Sequence, residues 1–166
     1  ILNNIENISF LEDESTTINV SATDIDGDNL SFSCNPGDNI ICNINGNQIT
    51  FSSNQDYNGT EAVEIIVQDG NGGDDLQTIN ITVSPVNDAP VLDFIPNISF
   101  QEDESEILIL NASDVENDFL TYGCTPLGNE IGCLVNGNQL TVTSPPNYNG
   151  IETIRITVID ATLADS

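Results

Sequence analysis

From Ile18 to Val83 apolar side chains return at alternate positions: Ile18, Val20 and Ala22, then Leu30, Phe32 and Cys34, then Ile49 and Phe51, then Val63, Ile65 and Val67, then Ile79, Ile81 and Val83. A period of two places these side chains on one face of an extended strand and the intervening polar residues on the other. The stretches "NISF" and "IICNI" add two more short strands, and Gly, Asn, Asp and Pro punctuate the intervals. No helical period is present over any useful length. Seven short strands in about 85 residues predict an all-β fold, a seven-strand β-sandwich of immunoglobulin-like type.

The pattern then repeats. "ILNNIENISFLEDES" at residues 1–15 matches "VLDFIPNISFQEDES" at residues 91–105, an offset of 90, and after a one-residue insertion "INGNQITFSS" at 44–53 matches "VNGNQLTVTS" at 135–144, an offset of 91. "DYNG" at 56–59 then aligns with "NYNG" at 147–150. Self-similarity at a fixed period is the signature of tandem units. Two sandwiches are therefore expected, at residues 1–85 and 91–166, joined at 86–90 by "VNDAP", a stretch that Pro85 and Pro90 make short and stiff. The second is expected to be incomplete. Ile154, Ile156 and Val158 match Val63, Ile65 and Val67, Asp160 matches Asp69, and Ser166 falls on Asp75, so the counterpart of "LQTINITVS" does not appear. An open sheet edge invites pairing with another strand, so two expectations stand: the chain is a piece of a longer array, or the strand arrives by head-to-tail donation, with a neighbour's Ile5, Ile8 and Phe10 as candidate fillers.

Charge narrows the function. Asp and Glu total 27 against one basic residue, Arg155, for a net charge of −26, which disfavours nucleic acid and anionic membrane as partners and favours cations. No apolar run long enough to span a bilayer occurs, so no membrane insertion is expected. Catalysis is not expected: there is no His, no Ser or Cys beside a base, and no Gly-rich phosphate loop. A catalytic carboxylate pair would be needed once, whereas the acids here recur at equivalent places in both units.

The four cysteines lack the spacing of a zinc site. Cys34 and Cys42 flank "NPGDN", and Cys124 and Cys133 flank "TPLGNE", so each pair is expected to form a local disulfide. Closing such a loop contributes about 2 to 3 kcal/mol and implies an oxidising, extracellular or cell-surface setting. Seven Asn-x-Ser/Thr sequons, at Asn7, Asn19, Asn29, Asn58, Asn80, Asn97 and Asn111, are candidate N-glycosylation sites.

The acids gather at unit ends and loops. Unit 1 carries Glu12, Asp13 and Glu14, then Asp24, Asp26 and Asp28, then Asp69; unit 2 carries Glu102, Asp103 and Glu104, then Asp114, Glu116 and Asp118, then Asp160. Alternate acids on a turn converge their oxygens on a small volume, which suits Ca2+ with its 6 to 8 oxygen ligands at about 2.3 to 2.6 Å. "DIDGD" also mimics the start of an EF-hand loop, but no Glu stands at the twelfth position from Asp24 and no helices flank it. The bland alternative is that Asp-Gly and Asn-Gly make tight turns.

Taken together, the "EDE", "DIDGD" and "DVEND", "DYNG" and "NYNG", "VQDG" and "VNDAP" stretches resemble the cadherin-like calcium-binding tandem repeats of microbial surface proteins and adhesins, over essentially the whole chain. The resemblance implies calcium at the junction of successive repeats. Its ligands would be Glu12, with Asp13 or Glu14, and Asp56 of unit 1, Asn87 and Asp88 of the linker, and Asp114, Glu116, Asp118 and Asp160 of unit 2. Asp24, Asp26, Asp28 and Asp69 would form a matching half-site on unit 1, and Glu102, Asp103, Glu104 and Asn149 another on unit 2. Asn58 and Glu116 depart from the family pattern. The expected role is a non-enzymatic, calcium-rigidified stalk, adhesin or filament that associates with copies of itself or neighbouring repeats. The competing expectation is a carbohydrate- or protein-binding module whose site would show as residues present in one unit and absent from the other.

Overall fold

A computed structural model describes residues 1–161, and the chain divides into two compact units, Ile1–Val86 and Asn87–Ser166. Residues 162–166, the tail that continues beyond Asp160, lie outside the described residues.

Unit 1 contains β1 (Ile8–Leu11), β2 (Ser15–Asn19), β3 (Ser31–Asn35), β4 (Ile40–Asn45), β5 (Gln48–Ser53), β6 (Gly59–Gln68) and β7 (Asp74–Ser84). They form one sheet in the order β1-β7-β6-β3 and a second in the order β2-β5-β4. β1 runs parallel to β7, in register from Ile8 with Ile81 to Leu11 with Ser84, and every other pair is antiparallel. The alternation dictates this arrangement. Phe51, Ile49, Val63, Ile65 and Ile81 are fully buried between the sheets, with Val67, Ile79 and Val83 nearly so. Each such side chain contributes about 1.5 to 3 kcal/mol on burial.

Unit 2 contains β8 (Val91–Leu92), β9 (Ser105–Ile109), β10 (Ala112–Ser113), β11 (Thr121–Pro126), β12 (Gly132–Asn136), β13 (Gln139–Thr143) and β14 (Ile154–Ile159). Its sheets run β12-β13-β9 and β11-β14, with β8 paired to β10. The last pair corresponds to the bridge between Leu2 and Ala22 in unit 1. The core is smaller: Leu110, Leu140 and Val142 are buried, while Phe100, Ile154 and Ile156 only pack partly against them. Among the described residues β14 pairs with β11, where β6 pairs with both β3 and β7.

Both disulfides form, Cys34 to Cys42 and Cys124 to Cys133. The strands that each disulfide joins lie side by side without sharing a sheet. They do not pair: β3 and β4 belong to opposite sheets of unit 1, as β11 and β12 do in unit 2. Each disulfide therefore ties one layer of its sandwich to the other.

Candidate metal sites

In unit 2 the segment Asn87–Asp88 is tied to the acidic loop and to the end of β14. The backbone N–H of Asp88 donates to Oε2 of Glu116 at 3.2 Å, and Nδ2 of Asn87 donates to Oδ2 of Asp160 at 2.9 Å. Oδ1 of Asp114 accepts from the N–H of Asp118 at 2.9 Å, which closes the "DVEND" loop on itself. These bonds use one oxygen of Asp114 and one of Glu116. Their other oxygens, Oδ2 of Asp114 and Oε1 of Glu116, are shielded from solvent and accept no hydrogen bond. A shielded anionic oxygen without a donor is costly unless a cation compensates it. The donor set, carboxylates with an amide on a short loop, fits a hard cation such as Ca2+.

The matching loop of unit 1 has the same frame and different satisfaction. Oδ1 of Asp24 accepts from Asp26 at 2.9 Å and from Asp28 at 3.1 Å. Asn71 donates through Nδ2 to Asp28 at 2.9 Å, and Oδ1 of Asp69 accepts from the N–H groups of Asn71 and Gly73 at 2.7 and 2.9 Å. Those backbone donors hold the Asp69 carboxyl below its ordinary value, since they favour the charged form. Gly27 and Asn117 occupy equivalent positions with φ of 79° and 60°, so the Gly of one loop and the Asn of the other meet the same left-handed requirement.

The remaining expected residues separate into those with a visible structural task and those at the surface. Glu12 is buried, and its Oε1 accepts from the N–H of Val86 at 2.6 Å while Oε2 has no hydrogen-bond partner. Asp13 and Asp103 are exposed and sit at φ of 62° and 66° in equivalent turns, closed by Glu14 N–H to Leu11 O and Glu104 N–H to Gln101 O. Glu14, Glu102 and Glu104 are exposed. Asp56 and Asn147 hold another pair of left-handed turn positions, at φ of 56° and 61°. All seven sequon asparagines, Asn7, Asn19, Asn29, Asn58, Asn80, Asn97 and Asn111, are exposed.

One cluster escaped the sequence reading. The Glu61 carboxylate accepts from both the N–H and Nδ2 of Asn39, and the Asn39 side chain, followed by its backbone, by Ile40 and by Tyr57, lowers its pKa. Glu152 repeats the arrangement with the N–H groups of Glu130 and Ile131. The visible signal was the paired "YNGTE" at 57–61 and "YNGIE" at 148–152. A Cβ at Gly59 would stand 2.8 Å from the Tyr57 hydroxyl, and one at Gly150 would stand 2.6 Å from that of Tyr148, so each glycine makes room for its tyrosine.

A family model for the bacterial Ig domain matches residues 1–82 and again residues 87–166. The chain belongs to the bacterial Ig domain family. No curated protein matches it. Among solved structures, human protocadherin-24 EC1-2 is similar at 16% identity and a TM-score of 0.53, over 92% of this chain and 90% of that one. Extracellular cadherin domains 3-6 of protocadherin gamma B2 are similar at 13% identity and a TM-score of 0.52, over 96% of this chain and 46% of that one. Two endo-fucoidan hydrolases of glycoside hydrolase family 107 match at 17% identity and a TM-score of 0.42, over 95% and 94% of this chain, which spans 28% of theirs. The family match and the two protocadherin likenesses speak to fold: two bacterial Ig repeats of cadherin-like, all-β sandwich type. Family and disulfides together point to an extracellular location. Among the described residues no helix is long and apolar enough to cross a membrane.

Proposed function

We propose that these bacterial Ig repeats form a non-enzymatic, calcium-stiffened segment of an extracellular stalk, adhesin or surface filament. The observation that carries this reading is the pair of shielded, unaccepting oxygens on Asp114 and Glu116, in a loop whose Glu116 accepts from the linker residue Asp88 while the nearby Asp160 accepts from Asn87. Asp88, Asp114, Glu116, Asp118 and Asp160, with Asn87, are the proposed ligands on unit 2. By the cadherin-like resemblance, Glu12 and Asp56 of unit 1 complete them, and Asp24, Asp26, Asp28 and Asp69 face an adjoining repeat in the same way. Bound calcium neutralises carboxylates that otherwise repel one another and restricts bending between repeats. Association with copies or neighbouring repeats, in its finer form a head-to-tail polymer made by strand donation, extends the segment.

Calorimetric titration of the chain with CaCl2, paired with small-angle scattering with and without chelator, tests this. Saturable binding that Asp114→Asn and Glu116→Gln each weaken by tenfold or more (about 1.4 kcal/mol), and a more compact, flexible scattering profile after chelation, are expected. An identical profile in both states would rule out stiffening.

A protein-binding module is the second reading, and one surface favours it. On the outer face of the β12-β13-β9 sheet, Leu134 lies across from Thr141 and Thr141 from Ile107, with Ile109 two residues further along the strand. Ile107, Ile109 and Leu134 are 53%, 58% and 68% exposed, where unit 1 carries Thr17, Asn19 and Asn43. Ile107→Thr with Leu134→Asn should abolish capture of any specific protein partner while leaving calcium binding unchanged.

A further inference from the structure

The two layers of each sandwich differ in the charge of their outer faces. In the three-stranded sheets Ile49 and Phe51 of unit 1, and Leu140 and Val142 of unit 2, point into the core, so alternate residues along each strand point out. The outward positions are the odd residues of β2 and β4 and the even residues of β5 in unit 1, and the odd residues of β9 and β13 and the even residues of β12 in unit 2. That is nine positions in each unit, and none carries a charge, in a chain in which 17% of residues do. The other layer does carry charge on its outer face, at Glu64 and Asp74 in unit 1 and at Arg155 in unit 2.

Within these neutral faces the units part in chemistry. In unit 2 Ile107 and Leu134 flank Thr141 in the central row and Ile109 continues the strip along β9, all three apolar side chains more than half exposed. The corresponding residues of unit 1 are polar, and there Thr17 and Thr50 join their hydroxyls across the row at 2.9 Å.

A face cleared of carboxylates selects its partner by sign. A basic partner is drawn to the acids and gains nothing where they are missing. A partner that is itself acidic is repelled wherever carboxylates meet carboxylates, and approaches at least cost where this chain, with its net charge of −26, shows none. The acidic molecule always present with the chain is another copy of it. Exposed branched side chains then supply the attraction that the polar face of unit 1 lacks.

We infer that the outer face of the β12-β13-β9 sheet docks on the same face of unit 2 in a second copy of this chain, in a lateral, isologous contact with Thr141 near its middle. From strand spacing and rise the face measures roughly 14 by 17 Å, or about 240 Å², against about 800 Å² per partner in a stable interface. A single contact is therefore weak, and repetition along neighbouring chains strengthens it. The inference rests on the reading of this face as a protein-binding surface and names its partner.

The test is sedimentation velocity on the full chain in chelator, from about 10 μM to about 1 mM protein, at about 0.1 M and about 1 M NaCl. Reversible dimerisation is expected, with a Kd at least tenfold lower at the higher salt, where the screening length falls to about 3 Å and repulsion between the copies fades. Ile107→Thr with Leu134→Asn, which installs the residues of unit 1, should raise the Kd by tenfold or more, and Thr141→Asp should abolish dimerisation. Ser33→Asp adds the same charge to the outer face of the other layer and should leave it unchanged. A chain that stays monomeric throughout, a dimer that survives either face variant, or an equal loss in Ser33→Asp would overturn the inference. So would capture of a different protein through Ile107 and Leu134 by a chain that remains monomeric, an outcome that leaves the protein-binding reading standing. Chelator keeps calcium out of the experiment, so the proposed metal function stands or falls separately.

Discussion

Glu61 stabilises the turn before β4 because its carboxylate receives both donors of Asn39 at one side of the sandwich. Asn39 is the main cause of its lowered pKa, and the Tyr57 hydroxyl also favours the charged form, while that tyrosine is in turn raised by burial and by Glu61. A carboxyl whose folded pKa lies below its unfolded value adds stability that is full above the ordinary value of 4.5 and is lost as pH falls through the folded value. Glu61→Gln should therefore lower the melting temperature by a constant amount from pH 7 to about 5, and the difference from the parent chain should shrink as the pH falls below the ordinary value of 4.5. Thermal melts of both proteins across that range check it, and a pH-independent difference would assign the loss to packing. This cluster was written in the sequence as a repeated Tyr-Asn-Gly-x-Glu, yet the acids drew attention to cation binding, and nothing in a single sequence says that a carboxylate is consumed by backbone N–H groups. The left-handed turns at Asp13, Asp56 and Asp103 were hidden for the same reason: an aspartate that relieves backbone strain looks like one that binds an ion.

At the scale of strands, alternation revealed five of the seven strands of unit 1, and the short apolar runs "NISF" and "IICNI" the other two, because a two-layer sandwich needs one apolar face per strand and little else. It could not reveal sheet membership. Period two is the same in either layer, so the crossing of β3 to β4 between sheets, and hence the interlayer role of Cys34 and Cys42, emerged only from the pairing. Replacing both cysteines by Ala should cost unit 1 about 2 to 3 kcal/mol in urea unfolding. Burial makes a sharper contrast. Ile65→Ala removes a fully buried side chain from a closed core and should cost about 2 to 5 kcal/mol. Ile156→Ala removes its half-buried counterpart in unit 2 and should cost roughly half as much.

For the chain as a whole, 27 acidic residues against one basic residue set the terms of stability. At physiological salt the screening length is about 8 Å, so clustered carboxylates still repel, and any cation relieves part of that cost. A merely acidic surface and a calcium site therefore both predict stabilisation by CaCl2, but by different laws. Screening depends on ionic strength and saturates gradually, whereas site binding follows RT ln(1 + [L]/Kd), about 2.7 kcal/mol when calcium reaches a hundred times its Kd. The melting temperature should rise with CaCl2 well beyond what NaCl gives at matched ionic strength, and the excess should vanish with chelator. Glu116→Gln separates the two laws further. Removing one negative charge from a screened surface reduces repulsion and should raise the melting temperature in calcium-free buffer, while removing a ligand should shrink the calcium-dependent increment. The shielded Oε1 of Glu116 predicts both effects in the same variant: higher stability without calcium and lower stability, relative to the parent chain, with it.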